Sequence, residues 1–326
     1  MQEKNKSNAL SIFLGKYGIV VMLLALVLVM TILIPGFLSL NNIKGILVQG
    51  SIYGIMSLGI TFIIISGGID LSAGSLVALT AVISASFGQQ VTAQNRLFPF
   101  LPELGIWAPI LVALVFGGFL GAINGLMIAK LRLLPWIATL GSFYIARGVA
   151  LVITKGKPVT QLIRGYYNVG KEFFGLPVPV WIFLLCIIVS WVLLNYTKFG
   201  CDTFAIGGNI SAARVTGINI SKTLILIYLF AGVMYGVAAF VYSGRVLSVN
   251  PGAAQNYEMS AISASIIGGT SPVGGKGTIW GVIVGTLILS VIRQGLTLLA
   301  VDAYWQQIAE GAIIVVAVIF AMRRNK

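Results

Sequence analysis

The sequence predicts an all-α, polytopic integral membrane protein with about ten transmembrane helices. Hydrophobic residues make up 58% of its 326 residues and charged residues only 9%, whereas soluble domains average about 45–50% and about 25%. The mean hydropathy is +1.00. The apolar residues form long unbroken runs rather than the alternating pattern of an outer-membrane β-barrel. This composition excludes a soluble globular protein and a disordered chain.

The first predicted span follows a polar, basic start that contains Lys4, Lys6 and Lys16. Its apolar stretch, Tyr17 to Ile34, is longer than a signal-peptide core and lacks a small-residue cleavage site, so we expect a retained helix. Nine further runs approach the length of about 20 residues that spans a bilayer. They cover residues 46–66, 73–89, 106–129, 133–153, 178–196, 222–243, 259–272, 279–301 and 304–322. Runs 73–89 and 259–272 are short and interrupted by glycine.

The 21 basic residues outnumber the 8 acidic residues and give a net charge of +13. The cations stand singly or in pairs at the ends of apolar runs, which favours a role in orienting helices over nucleic-acid binding. Ten crossings from a cytoplasmic start place both termini in the cytoplasm. The loops predicted on that side contain Lys130, Arg132, Lys198, Arg214, Lys222 and Lys276, and the carboxyl end adds Arg323, Arg324 and Lys326. We therefore expect one transmembrane domain, residues 1–326.

The absence of histidine excludes histidine-based catalytic triads and histidine-liganded metal sites. Cys186 and Cys201 do not have a metal-ligand spacing, and we expect neither to form a disulfide. The sequence thus predicts neither a catalytic residue nor a metal site.

Two glycine-rich segments, residues 66–75 and 268–278, each separate two apolar runs. Broken helices at matching places in two halves indicate a translocation path, and the pair suggests a weak internal duplication. Similar glycine content could also produce this likeness.

Asp70 lies in the first glycine-rich segment and is the most unusual single residue. A carboxylate at the centre of a bilayer costs about 2.5–3.5 kcal/mol, so its presence needs a reason. One interpretation is a gating charge at a break in the path, and the other is an N-cap of the following helix. Gln49, Ser66 and Asn124 are further candidates for the path, although each could instead hydrogen-bond a neighbouring helix.

The second segment does not fit a nucleotide-binding loop. Counting back from Lys276, the required first glycine is replaced by Thr270, and Gly277 stands where Ser or Thr would hold magnesium. We therefore expect this chain to bind no cofactor of its own.

The connection from Thr197 to Lys222 can contain a short helix. Asn209 or Ser211 can cap it, and Gly217 can end it. Such a helix is either a docking element for another protein or an incidental part of a connector. Elsewhere, glycines spaced by four residues predict close contacts between helices. They are Gly117, Gly121 and Gly125, then Gly232 and Gly236, and then Gly281 and Gly285.

Several ordered motifs resemble those of the membrane permease subunits of bacterial binding-protein-dependent ABC importers for monosaccharides, the ribose, galactose, xylose and allose group. The resemblance extends from about residue 40 to 322. Its motifs are GGIDLSAGS at 67–75, TLG at 139–141 with RG at 147–148, FAIGGN at 204–209, AAR at 212–214, GI at 217–218, GG at 268–269, GGKGT at 274–278 and YWQQ at 304–307 with Gly311. Gln294 departs from the family, which often has Asn before the following Gly-Leu.

The resemblance implies a path for a ribose- or allose-like monosaccharide, formed with a second permease copy or a related chain. It also implies a location in the bacterial inner membrane, cytoplasmic ATP-binding subunits, which use ATP and magnesium, and a periplasmic sugar-binding protein. Residues 197–222 become a cytoplasmic coupling loop that contacts the ATP-binding subunit. Its coupling residues are Gly207, Gly208, Asn209, Ala212, Ala213, Arg214 and Gly217.

The alternative function is an ion-gradient-driven secondary transporter of a small polar solute. Such a protein needs carboxylates or histidines within the membrane to carry its coupling ion. This sequence offers Asp70, Glu310 and Glu258 for that role. An intramembrane enzyme is disfavoured because the sequence has no clear pairing of a nucleophile with a base.

Overall fold

A computed structural model describes the backbone of residues 2–324 and the side chains of residues 17–313 and 315. The described chain is predominantly helical, with two strands of two residues each. In order, its elements are α1 (Gln2–Leu33), α2 (Leu40–Ile65), α3 (Ala73–Phe87), α4 (Trp107–Ala129), α5 (Pro135–Thr154), α6 (Arg164–Val169), β1 (Glu172–Phe173), β2 (Leu176–Pro177), α7 (Val178–Tyr196), α8 (Lys198–Gly208), α9 (Ile210–Val215), α10 (Ile220–Val246), α11 (Tyr257–Ile267), α12 (Ile279–Leu298) and α13 (Ala303–Arg324). The side chains of the basic residues at both termini, Lys4, Lys6, Lys16, Arg323, Arg324 and Lys326, lie outside the described part.

Each of the ten apolar runs coincides with a helix: α1 to α5, α7 and α10 to α13. Among the described residues, six helices are long and apolar enough to cross a membrane, namely α2, α4, α5, α7, α10 and α12. The two short runs, 73–89 and 259–272, form α3, with 15 residues, and α11, with 11 residues. At 1.5 Å per residue these helices extend about 22 Å and about 16 Å, less than the hydrocarbon thickness of about 30 Å. Any crossing by α3 or α11 therefore includes the glycine-rich segment beside it.

The strands β1 and β2 are a small departure from the expected all-α fold. They pair antiparallel, with Glu172 opposite Pro177. The two residues between them, Phe174 and Gly175, have φ angles of 48° and 76°. Positive φ at both positions is what a tight two-residue hairpin turn requires.

Helix α2 is the central helix of the bundle. In its most apolar 18-residue window, 89% of the residues are buried. Helices α7, α10, α11 and α12 pack around it. Small residues allow this close packing: a Cβ atom added to Gly59 of α2 would lie 2.9 Å from the Ala231 Cα in α10.

The glycines spaced by four residues lie at close helix contacts, as the sequence predicts. A Cβ atom added to Gly117 of α4 would lie 2.5 Å from the carbonyl oxygen of Gly232 in α10, and one added to Gly125 would lie 2.8 Å from the Ile225 Cα. Gly121 faces the backbone of Gly232 in the same way. These helices approach so closely because α4 carries only glycine at these three positions.

Replacing Gly121 with alanine should therefore push α4 away from α10. The new methyl group would collide with the backbone oxygen of Tyr228, which cannot rotate away. We expect a loss of about 1–3 kcal/mol in stability, typical of overpacking, measured as a lower melting temperature of the purified protein in nanodiscs. Gly118→Ala is the matched control, because its methyl group would meet only the end of the Val233 side chain, at 3.0 Å. Equal melting temperatures for the two variants would contradict this account of the contact.

Candidate functional site

The first glycine-rich segment begins where α2 ends at Ile65. The amide groups of Gly67 and Gly68 donate hydrogen bonds of 2.9 Å to the carbonyl oxygens of Ile64 and Ile63. Gly67 has a φ of +81°, a left-handed conformation that favours glycine. This is a Schellman turn, which satisfies the last carbonyl groups of a helix and stops it. The chain then continues through residues 66–72, which we call the first interruption.

Asp70 lies in the first interruption and is only 1% exposed. One carboxylate oxygen accepts hydrogen bonds from the backbone amide and the hydroxyl of Ser72, at 2.8 and 2.5 Å. The other accepts a hydrogen bond of 3.0 Å from the hydroxyl of Tyr235 in α10. Helix α3 begins at Ala73 with Ser72 at its N-cap. Asp70 thus stabilises the turn that leads into α3 rather than capping that helix itself, and its role as a gating charge stays a prediction.

The hydrogen-bond network continues from Ser72 into two more helices. The Ser72 hydroxyl accepts a hydrogen bond of 2.9 Å from the side-chain amide of Asn124 in α4. The Asn124 carbonyl oxygen accepts one from the hydroxyl of Ser142 in α5. The backbone amide of Leu71 donates to the hydroxyl of Thr139, also in α5, at 3.2 Å. Through these contacts the first interruption is fixed to α4, α5 and α10.

The structure brings together three of the four path candidates. Asp70 and Asn124 share the network around Ser72, and Ser66 lies at the start of the same interruption, where its hydroxyl donates to the carbonyl oxygen of Ile63 at 2.8 Å. All three are buried. Gln49 is half-buried in α2 and lies roughly 24 Å further along the helix axis from Ile65, at 1.5 Å per residue. Gln49 therefore does not belong to this cluster.

Two tyrosines complete the cluster and were not identified from the sequence. Tyr228 and Tyr235 are fully buried in α10, and the Tyr228 hydroxyl donates to the carbonyl oxygen of Ile69 at 3.2 Å. They are seven residues apart, which places them on one face of α10. Gly232 and Gly236 lie on the same helix, in its contact with α4. The sequence signal for these residues is a pair of tyrosines on one face of an apolar helix that also carries closely spaced glycines. Buried tyrosine hydroxyls usually have a hydrogen-bond partner, so such a pair indicates polar contacts inside the bundle.

The second glycine-rich segment begins with the same kind of turn. Gly269 has a φ of +90°, and the amides of Gly269 and Thr270 donate to the carbonyl oxygens of Ile266 and Ser265 at 2.9 and 3.0 Å. We call residues 268–278 the second interruption. The hydroxyl of Thr61 in α2 donates to that of Ser265 in α11 at 2.9 Å, so the two broken helices also contact each other directly. The shared turn agrees with a duplication but does not require one, because Schellman turns end many helices.

The predicted short helix between Thr197 and Lys222 is α9. Asn209 is its cap, because its side-chain oxygen accepts hydrogen bonds of 3.0 Å from the amides of Ser211 and Ala212. Gly217, with a φ of +83°, lies just after its end. Apart from Ala213, the residues of α9 are exposed, including Arg214. The segment thus has a rigid, exposed shape, as docking requires, and its contact with an ATP-binding subunit stays a prediction.

The remaining charges of the apolar core are mostly engaged by neighbouring groups. Arg293 of α12 forms an ion pair with Glu310 of α13. Arg147 of α5 donates to the carbonyl oxygens of Pro251 and Ala253 at 3.0 and 2.6 Å. Glu258 is 4% exposed and packs against Gly74 in the first turn of α3. Of the three carboxylates considered for ion coupling, Asp70 and Glu310 are thus held by hydrogen bonds or an ion pair.

Comparison with known proteins gives consistent matches over most of the chain. Residues 42–318 match a family described as the permease component of branched-chain amino acid transport systems. The chain is 38% identical over 304 residues to the ribose import permease protein of Escherichia coli strain K12, which covers 91% of this chain and 90% of that protein. It is 38% identical over 326 residues to the galactose/methyl galactoside import permease protein of the same strain, covering 98% and 97%. It is 37% identical over 313 residues to the ribose import permease protein of Bacillus subtilis strain 168, covering 95% and 94%. No solved structure matches the chain.

Proposed function

The chain belongs to the family of membrane permeases of bacterial monosaccharide ABC importers, and from this premise we propose that it forms the membrane path for a ribose- or allose-like sugar in an ATP-driven importer. The observation that carries the proposal is the similarity to two sugar permeases over more than nine-tenths of the chain. The identity to the ribose permease and to the galactose permease is the same, 38%. The choice among monosaccharides therefore rests on the general resemblance of the motifs.

In the proposed importer, this chain and a second permease, either another copy or a related chain, surround the path. Two cytoplasmic subunits bind and hydrolyse ATP with magnesium, and a periplasmic protein delivers the sugar. We propose ten crossings, with both termini of this chain in the cytoplasm together with residues 197–222. The exposed, capped helix α9 supports contact with the ATP-binding subunit, since a rigid helix can be docked at little cost in conformational entropy.

The permease itself acts as a gate that opens alternately to each side of the membrane. A bound partner shifts such an equilibrium only by its difference in affinity for the two states. The loaded binding protein would favour one state from outside, and ATP binding by the cytoplasmic subunits would favour the other. Tight binding of sugar by the permease is then unnecessary.

Reconstitution tests this proposal. Vesicles that contain the permease, its ATP-binding subunit and its binding protein should take up labelled ribose or allose when ATP is present on the cytoplasmic side. Sodium or proton gradients should not replace ATP. Vesicles that contain the chain alone and concentrate a sugar on an ion gradient would instead establish the secondary transporter.

A change at α9 tests the coupling loop separately. We expect Arg214→Ala or deletion of residues 209–217 to abolish ATP-driven sugar uptake while membrane insertion stays normal, because Arg214 and, apart from Ala213, the whole deleted segment are exposed. Uptake of labelled sugar and the amount of inserted protein are measured in the same vesicles. Lys171→Ala is the control, since Lys171 is an exposed cation in the connection between α6 and β1. Uptake at the normal rate in the deletion variant would contradict the coupling role.

A further inference from the structure

The two interruptions and the end of α8 meet in one contact made of backbone atoms. The amide of Gly275, in the second interruption, donates a hydrogen bond of 2.8 Å to the carbonyl oxygen of Ile65, the last residue of α2. A Cβ atom added to Gly207, near the end of α8, would collide with that same oxygen and lie 2.7 Å from the Gly275 nitrogen. Gly207 thus lies directly against the point where α2 ends and the second interruption returns.

Gly274, the residue before Gly275, extends this backbone contact to the first interruption. A Cβ atom on Gly274 would lie 2.9 Å from the carbonyl oxygen of Gly207 and 3.1 Å from the Cα of Gly67. Gly67 and Gly274 have φ angles of +81° and +95°, so both backbone turns depend on glycine. We call the contact between Gly67, Gly207, Gly274 and Gly275 the glycine junction.

A contact between peptide groups transmits a displacement more directly than a contact between side chains does. Peptide units are planar and have no rotamers, and close-packed groups have little space in which to absorb a shift. A movement of α8 therefore has to displace both interruptions or break the junction. Asn209, the cap of the exposed helix α9, follows Gly207 by only two residues.

The first interruption and the helix that precedes the second are in turn fixed to the rest of the bundle. Asp70 and Ser72 attach the first one to α4 and α10 through Asn124 and Tyr235. Within one turn of the breaks, the hydroxyl of Thr61 donates a hydrogen bond to that of Ser265, which joins α2 to α11. A displacement at the junction thus reaches the helices that surround the path candidates.

We propose that the glycine junction is the mechanical link between the coupling loop and both interruptions, and that Gly207 is a positioning residue for transport. The inference rests on the proposed function, because it takes α8 and α9 as the part moved by the ATP-binding subunit. It adds the contact through which that movement reaches the broken helices.

Gly207→Ala in the fully assembled importer tests the link. The added methyl group forces Gly207 away from Ile65 and Gly275. We expect the variant importer to hydrolyse ATP but to move about tenfold fewer sugar molecules per ATP, within the range of known coupling free energies. Its ATPase activity should also lose stimulation by the sugar-loaded binding protein. A merely structural role would lower the amount of importer without changing this ratio.

Gly45→Ala is the matched control, because it adds the same methyl group to a helix, α2, where the nearest atom is the Gln294 side-chain nitrogen at 3.7 Å. It should keep the normal ratio of sugar to ATP. A normal ratio in Gly207→Ala would overturn the inference. Absence of ATP-dependent uptake in the unmodified importer would instead contradict the proposed function.

Hydrogen exchange of the unmodified importer gives a second test that needs no variant. Exchange of backbone amides reports local opening of their hydrogen bonds. We expect the segment 271–278, which contains the Gly275 amide, to exchange at different rates in the nucleotide-free importer and in the importer trapped with ATP, magnesium and vanadate. Identical exchange of this segment in both states of a working importer would also overturn the inference.

Discussion

Replacing Glu310 with glutamine is expected to destabilise the folded protein by about 3 kcal/mol, the lower end of the cost of removing one partner from a buried ion pair, because this pair is mostly but not fully buried. The side chains of Arg293 and Glu310 are only 16% and 14% exposed. Without Glu310, the guanidinium group keeps its charge but loses its counter-ion in an apolar surrounding. Arginine cannot deprotonate to relieve this cost.

Together with the ion pair, the other contacts of Arg293 join four helices. Besides Glu310 in α13, Arg293 in α12 donates a hydrogen bond of 2.9 Å to the hydroxyl of Ser260 in α11. Its guanidinium carbon lies 4.5 Å from the centre of the Tyr53 ring in α2. We therefore expect Glu310→Gln to loosen α13 from the bundle as well as to lower the overall stability.

The measurement is the unfolding free energy or melting temperature of the purified protein in nanodiscs. The double variant Arg293→Met, Glu310→Leu should recover most of the loss, because apolar replacements of a buried pair are often neutral or stabilising. Glu172→Gln is the matched control. Glu172 is 49% exposed in its ion pair with Lys44, and exposed pairs contribute about 0–1 kcal/mol. An equally small effect at Glu310 would show that Arg293 has another counter-ion.

The features that could be predicted from the sequence depend on short segments of chain. Long apolar runs give the helices, since the length needed to cross a bilayer is fixed. Asn209 and Gly217 bound α9 because caps and left-handed turns act over two or three residues. The contact of Gly121 with Gly232 follows from the spacing of small residues along each helix. In each of these cases, the pattern that determines the feature is formed by residues close together in the sequence.

The features that could not be predicted depend on how distant segments pack. Asp70 and Tyr235 are 165 positions apart in the sequence. Nothing near Asp70 indicates which hydroxyl group completes its hydrogen bonds. The glycine junction likewise combines three separate segments, and glycine content alone does not pair them. Gln49 resembles the other path candidates in being polar within an apolar run, but it lies roughly 24 Å from the end of α2 at which they cluster.

The second large effect is expected at Asp70. Asp70→Ala removes the acceptor from the Ser72 amide, the Ser72 hydroxyl and the Tyr235 hydroxyl. Leaving a buried donor unsatisfied costs about 1–3 kcal/mol, so we expect a loss of about 3–5 kcal/mol after partial relaxation. Asp70→Asn keeps one oxygen for Ser72 and should cost less, about 1–2 kcal/mol. The melting temperatures of the variants in nanodiscs should follow that order.

Ser190→Ala is the control for this series. The Ser190 hydroxyl is fully buried and has no hydrogen-bond partner among the described residues. Removing an unpaired buried hydroxyl group should leave stability unchanged or raise it slightly, since it removes a cost rather than a bond. A loss at Ser190 as large as at Asp70 would mean that burial alone, and not the hydrogen-bond network, sets the effect.

The same Asp70 variants separate a role in shaping the interruption from a role in choosing the sugar. Asp70 is buried and bonded to Ser72 and Tyr235, so its carboxylate is committed to the turn before α3. We expect Asp70→Asn to slow uptake by the assembled importer while the ratio of ribose to allose uptake stays the same. A changed ratio would place the carboxylate in contact with the sugar during transport. That result would require the first interruption to open far enough for Asp70 to leave both partners.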